Sequence, residues 1–111
     1  MDYALIWATA KSAAEKAAKI EDMRLGNEAT RGFDCGFAWI AMPGNIPFAK
    51  WAKAQGLASK AYPSGYQIWY SKVHSVPTQS ISVHEAACKA ARDVIAKSLG
   101  TSMILMGSRL D

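Results

Sequence analysis

Cys35, His74 and His84 are the residues here from which a thiol nucleophile and its base could be built. A thiolate beside a histidine base is the general form of a cysteine nucleophile. Nothing in their spacing selects that chemistry. Cys35 stands in phase with Phe33, Phe37 and Trp39, so the pattern predicts a buried, unreactive core thiol, with Cys88 packed inside a helix. Two histidines joined by Glu85 or Asp34 make a thin metal-ligand set, and Gly65, Gly100 and Gly107 are isolated rather than gathered into a phosphate loop. The sequence therefore assigns no catalytic residue, metal or cofactor.

Charge distribution is more informative. Residues 1–45 carry five basic and six acidic groups, net −1, and residues 46–111 carry eight basic and three acidic groups, net +5. Between Asp34 and Glu85 there is no carboxylate, and this window holds four lysines and eight of the eleven aromatic residues. Cations beside flat apolar rings suit an anionic ligand with stackable bases. Alternation in Tyr66–Tyr70 turns either Trp69 or the two tyrosines away from the core, which sets an exposed ring near Lys60 and Lys72. A second group forms where Ser80, Ser82 and His84 open a helix whose first amides lack partners, with Arg109 able to reach the same sheet edge. The expected ligand-binding residues are Lys60, Trp69, Lys72, Ser80, Ser82, His84 and Arg109.

These side chains need a scaffold. Residues 3–25 repeat Ile6, Ala10, Ala13, Ala17 and Ile20 at three- and four-residue steps, which predicts an amphipathic helix ending at Gly26-Asn27. Phe33 to Trp39 alternates and predicts a strand with its large side chains inward, ending at Pro43-Gly44. Asn45 and Pro47 open a short helix over 46–55, stopped by Gly56. Tyr66–Tyr70 reads as a second strand and 71–79 as loop. Ser82 and Glu85 have capping-box spacing for a third helix running to Gly100, and Met103–Met106 reads as a short buried strand.

With 111 residues, the chain has room for one domain spanning 1–111. Helix and strand alternate in the order α-β-α-β-α-β, which favours crossover connections. The expectation is a mixed α/β fold: a three-stranded, mostly parallel sheet with three helices, alone or as a small oligomer. No apolar run approaches the roughly 20 residues of a membrane span, and no export signal opens the chain. Two cysteines without metal spacing fit a reducing cytoplasm.

Arg31–Trp39, Gly65–Trp69, Gln79-Ser80 and Gly107–Asp111 together give the chain a resemblance to short, uncharacterised proteins of tailed bacteriophages. It covers residues from about 31 onward. The resemblance implies a setting, the bacterial host cytoplasm, and an accessory role during infection; it transfers no site residues. The leading expectation is a non-catalytic protein that binds nucleic acid or a nucleotide-like anion through the basic aromatic segment. The rivals are a protein-interaction inhibitor of a host or anti-phage defence enzyme, and a small thiol enzyme using Cys35.

Overall fold

The computed structural model describes residues 1–26 and 34–111. Asp2 starts the first helix, α1 (Tyr3–Gly26), by accepting the Leu5 N–H at 3.0 Å on its carboxylate. Its buried residues are Trp7, Ala10, Ala14 and Ala18, a stripe rotated from the expected one: Ile20 is 61% exposed. The stripe consists mostly of alanines because α1 lies against the other long helix, α4 (Ile81–Leu99), whose own buried row includes Ala87 and Ala91. Small side chains let the two axes approach closely. Tyr3 lines one cavity with Leu99, whereas Glu15 bonds Ser75 ahead of α4, so the pair runs antiparallel.

The first strand, β1 (Gly36–Met42), is followed by α2 (Pro47–Ala54), β2 (Ser59–Lys60), β3 (Tyr66–Trp69), a single helical turn α3 (Tyr70–Val73), α4, and β4 (Leu105–Leu110). Proline opens α2 as expected, but its cap is Ile46 rather than Asn45 and makes no side-chain bond. Phe48 of α2 is buried with Tyr3 edge-on at 5.6 Å. The helix α4 ends at Gly100, which takes the left-handed conformation at φ 66°.

The sheet has four strands in the order β2-β3-β1-β4, and every neighbouring pair is antiparallel. This overturns the expected three-stranded, mostly parallel sheet. Helix α4 does cross between two like-directed strands, β3 and β4, but β1 lies between them and runs the other way. Alternation of helix and strand signals a crossover without saying whether its two strands become neighbours. The last strand also differs from expectation. It begins two residues later than Met103 and forms an exposed edge, with only Ile104 of the Met103–Met106 run buried.

Along β1 burial alternates strictly, with Gly36, Ala38, Ile40 and Met42 buried. These, not the large aromatics, face the helices. A side chain on Gly36 would place its Cβ 2.6 Å from the Arg109 backbone oxygen of β4 and 2.7 Å from Ile81 Cδ1 of α4, so both neighbours pack closely against a glycine here. Alternation sorted the side chains into two faces correctly, but the covered face is the one carrying Gly36 and Ala38. Phe33, which belonged to the same expected pattern, lies outside the described residues.

Candidate functional site

The other face of the sheet carries Phe37, Trp39 and Ala41 from β1, Gln67 and Trp69 from β3, and Leu105, Gly107 and Arg109 from β4. No described helix of the α1, α2 and α4 layer packs on it. Trp39 and Trp69 are direct cross-strand partners with ring centroids 5.3 Å apart, and Phe37 meets Trp69 edge-on at 6.3 Å. The Arg109 guanidinium lies 5.8 Å from the Phe37 ring centroid. Gly107 makes the row possible: a Cβ there would come within 2.6 Å of the Trp39 indole, so only glycine lets that ring lie across β4. The three rings are half-buried, held by one another and partly open to solvent.

At one end of this face Cys35, Phe37, Tyr70, Gln79 and Asp111 line a cavity of about 210 Å³. Here the segment Gln79–Ile81 takes the place beside the chain that β3 holds further along. Gly36 donates its N–H to Gln79 O at 3.1 Å, and Ile81 donates to Asp34 O at 2.9 Å. Cys35 is exposed and contacts Gln79 Oε1 at 3.6 Å. That corrects the expected core thiol, because Cys35 shares the open face with Phe37 and Trp39. Cys88 is buried as expected, and burial pushes its thiol up to about 12.

The seven residues expected to bind a ligand fall into separate places. Trp69 and Arg109 share the open face. Lys60 is paired opposite Tyr66, whose own partner is the buried Met42, so it stands on the helix side of the far strand. Lys72 is exposed on α3. Ser80 and His84 are buried, at 1% exposure each. The α4 cap is Ser80, without a side-chain capping bond, and its Oγ lies 3.0 Å from Ser82 Oγ. Ser82 is therefore not the cap, and Glu85 instead accepts the Ser108 hydroxyl at 2.6 Å. Phe37, Trp39 and Gly107 are the members of the open face that sequence reasoning missed. The small residues Gly36 and Ala38 opposite the large ones were the available signal.

A second constellation joins the helices. His74 Nε2 and His84 Nδ1 are 2.8 Å apart in a buried pair, and the Val76 N–H donates to His74 Nδ1 at 3.1 Å. The backbone donor fixes the tautomers: with Nδ1 accepting, His74 donates through Nε2–H, and His84 must accept on Nδ1. The His84 proton then sits on Nε2, a buried atom without a hydrogen-bond partner among the described residues. Tyr70 stacks on His84 with centroids 3.7 Å apart. Glu15 accepts the Ser75 N–H at 2.6 Å and its hydroxyl at 2.7 Å, bonds that hold the carboxyl below its ordinary range. Burial lowers both histidines, His84 to about 4, and the neighbouring His74 adds to the shift of His84. Both rings are neutral at pH 7, so they contribute no cation to anion binding. They bond each other rather than Cys35.

Among the described residues, no group of three or more His, Cys, Asp or Glu side chains is placed to hold a metal ion, and no helix is long and apolar enough to cross a membrane. Comparison with protein-family models, curated proteins and solved structures gives no match.

Proposed function

We propose that the open face binds a single-stranded nucleic acid, or a nucleotide-like anion, by stacking its bases on Trp39 and Trp69 while Arg109 meets a phosphate. The observation that carries this reading is the direct pairing of Trp39 with Trp69 on a sheet face that the helix layer leaves uncovered. Each base stacked on an aromatic ring contributes about 1–3 kcal/mol, and every base offers such a face, so binding tolerates many sequences. Arg109 is the only cation of the face and Asp111, at its end, the only carboxylate among the described residues there. Stacking therefore supplies more of the affinity than charge. The proposed setting is the cytoplasm of an infected bacterium, where the protein serves as an accessory factor.

The test is a titration of the protein with a short single-stranded oligonucleotide at several salt concentrations. One phosphate contact to a single strand contributes about 0.7 to the logarithmic salt slope. Arg109→Ala should lower the slope by about that amount, whereas Lys60→Glu, on the other side of the sheet, should leave it unchanged. Binding that weakens equally in both variants would oppose a site on this face. A protein partner in place of the oligonucleotide would show as retained aromatic dependence without the slope.

A further inference from the structure

Strand β4 is an edge of the sheet, and its hydrogen-bonding phase identifies which residues look outward. Asp111 donates its backbone N–H to Cys35 O at 3.0 Å, while Gly36 turns its own N–H away to Gln79. The odd-numbered positions of β4 therefore bond to β1, and Met106, Ser108 and Leu110 turn their N–H and C=O groups to the open side. No described strand pairs with that side. Edges of this kind are usually blunted by charged side chains, lysine above all, by proline, by a bulge or by a covering helix. Arg92 of α4 covers only the start of this edge, at Ile104 O, and the one charge of Leu105–Leu110, Arg109, lies over the Phe37 ring. The strand has no lysine or proline, its register with β1 is unbroken, and Leu105 and Leu110 are 57% and 59% exposed.

We propose that β4 pairs antiparallel with β4 of a second copy of this chain, about a two-fold axis at Ser108. A two-fold axis normal to the sheet keeps the two open faces on the same side, so odd positions meet odd and even meet even. With the axis at Ser108, the outward-facing groups of Met106 meet those of Leu110 of the partner subunit, and the relation occurs twice. On the open face Arg109 stands opposite Gly107 of the partner subunit, where the indole of the partner's Trp39 fills the place of a side chain, so the guanidinium meets an aromatic ring as it meets Phe37 in its own chain. An axis at Gly107 would instead set Arg109 against Leu105 and leave Met106 opposite Ser108, matching charge with an apolar side chain. The strand thus carries both halves of its own complement, which favours a second copy over an unrelated strand.

The dimer would have one continuous sheet of eight strands, twice the four of a single chain, with both aromatic rows on one surface. The pairing itself does not depend on any ligand.

Sedimentation equilibrium on the ligand-free protein is the test, because its failure would leave the proposed nucleic-acid site untouched. The wild type should move from 12.0 kDa towards twice that mass as concentration rises. Leu110→Lys, a substitution at an exposed position, should raise the dissociation constant at least tenfold, and Ser108→Pro, which removes an outward N–H, should do the same. Hydrogen exchange on the wild type gives a reading that needs no variant. The Met106, Ser108 and Leu110 amides should exchange rapidly in dilute solution and become protected when concentrated. A monomer throughout, a dimer indifferent to Leu110→Lys, or protection that appears elsewhere while these amides stay open would each overturn the proposal.

Discussion

Acidification should destabilise this protein through its histidine pair. His84 is 1% exposed, and its folded pKa lies at about 4 against an ordinary value of 6.5. Because the folded-state value is depressed, the unfolded chain binds a proton more readily in this range. The neutral pair's contribution is fully present above about pH 6.5 and is lost as pH falls from there to about 4. At 1.36 kcal/mol per unit the interval corresponds to about 3 kcal/mol for His84, and His74, shifted in the same direction by burial, adds to it. Loss of this size is a large share of the 5–15 kcal/mol typical of a domain, and corresponds to a fall in Tm of about 10–20 °C. Glu15, held below its ordinary range by Ser75, extends the loss further into acid. The assay is thermal denaturation by circular dichroism between pH 7.5 and 4.5. His84→Asn supplies the control, since the amide oxygen can occupy the Nδ1 position as an acceptor but does not titrate. That variant should be less stable at pH 7 and respond less to acid. A wild-type Tm unchanged down to pH 4.5, or an equal slope in His84→Asn, would refute the argument.

Other expected outcomes follow from packing. Gly107→Ala should displace the Trp39 indole and cost about 1–3 kcal/mol, read as a lower urea midpoint and an altered tryptophan emission; unchanged values would mean that the ring does not lie over β4. Cys35 should react with a thiol reagent in the native state and Cys88 only after denaturation, which mass spectrometry of the labelled peptides distinguishes. Asp2→Ala should cost about 1 kcal/mol by removing the α1 cap, whereas Ser82→Ala should cost less than about half that, read from the denaturation midpoint, since among the described residues its hydroxyl meets only Ser80. Equal losses in the two variants would contradict this assignment of caps.

Local signals were legible where they depend on the chain alone. The long first helix, the proline-opened α2, the strand at Tyr66 and the glycine stop at Gly100 all follow from periodicity, φ restriction or the absence of a Cβ. What failed depends on relations between elements. Alternation in Gly36–Met42 defines two faces, but which of them α4 covers depends on packing between elements, such as the close approach of Ile81 to Gly36, which no local pattern states. Strand direction failed for a similar reason, since β1 inserts between the two strands that α4 connects. Of the expected ligand residues, Trp69 and Arg109 come together because their partners Trp39 and Phe37 are neighbours on β1. Lys60, two strands away, turns to the other side. His74 and His84 were both visible in the sequence, yet their hydrogen bond requires the chain between Val73 and Ile81 to fold back against α4.

Stacking of bases on Trp39 and Trp69 would be read by the fluorescence of the two indoles themselves. Titration with a short oligo-dT should quench tryptophan emission in a saturable way. Trp39→Leu and Trp69→Leu should each weaken binding by about fivefold to 150-fold, the equivalent of 1–3 kcal/mol for one lost stack, while the circular dichroism spectrum stays that of a folded domain. Saturable binding of the same affinity in both folded variants, or no quenching of the wild type at any oligonucleotide concentration, would contradict the account.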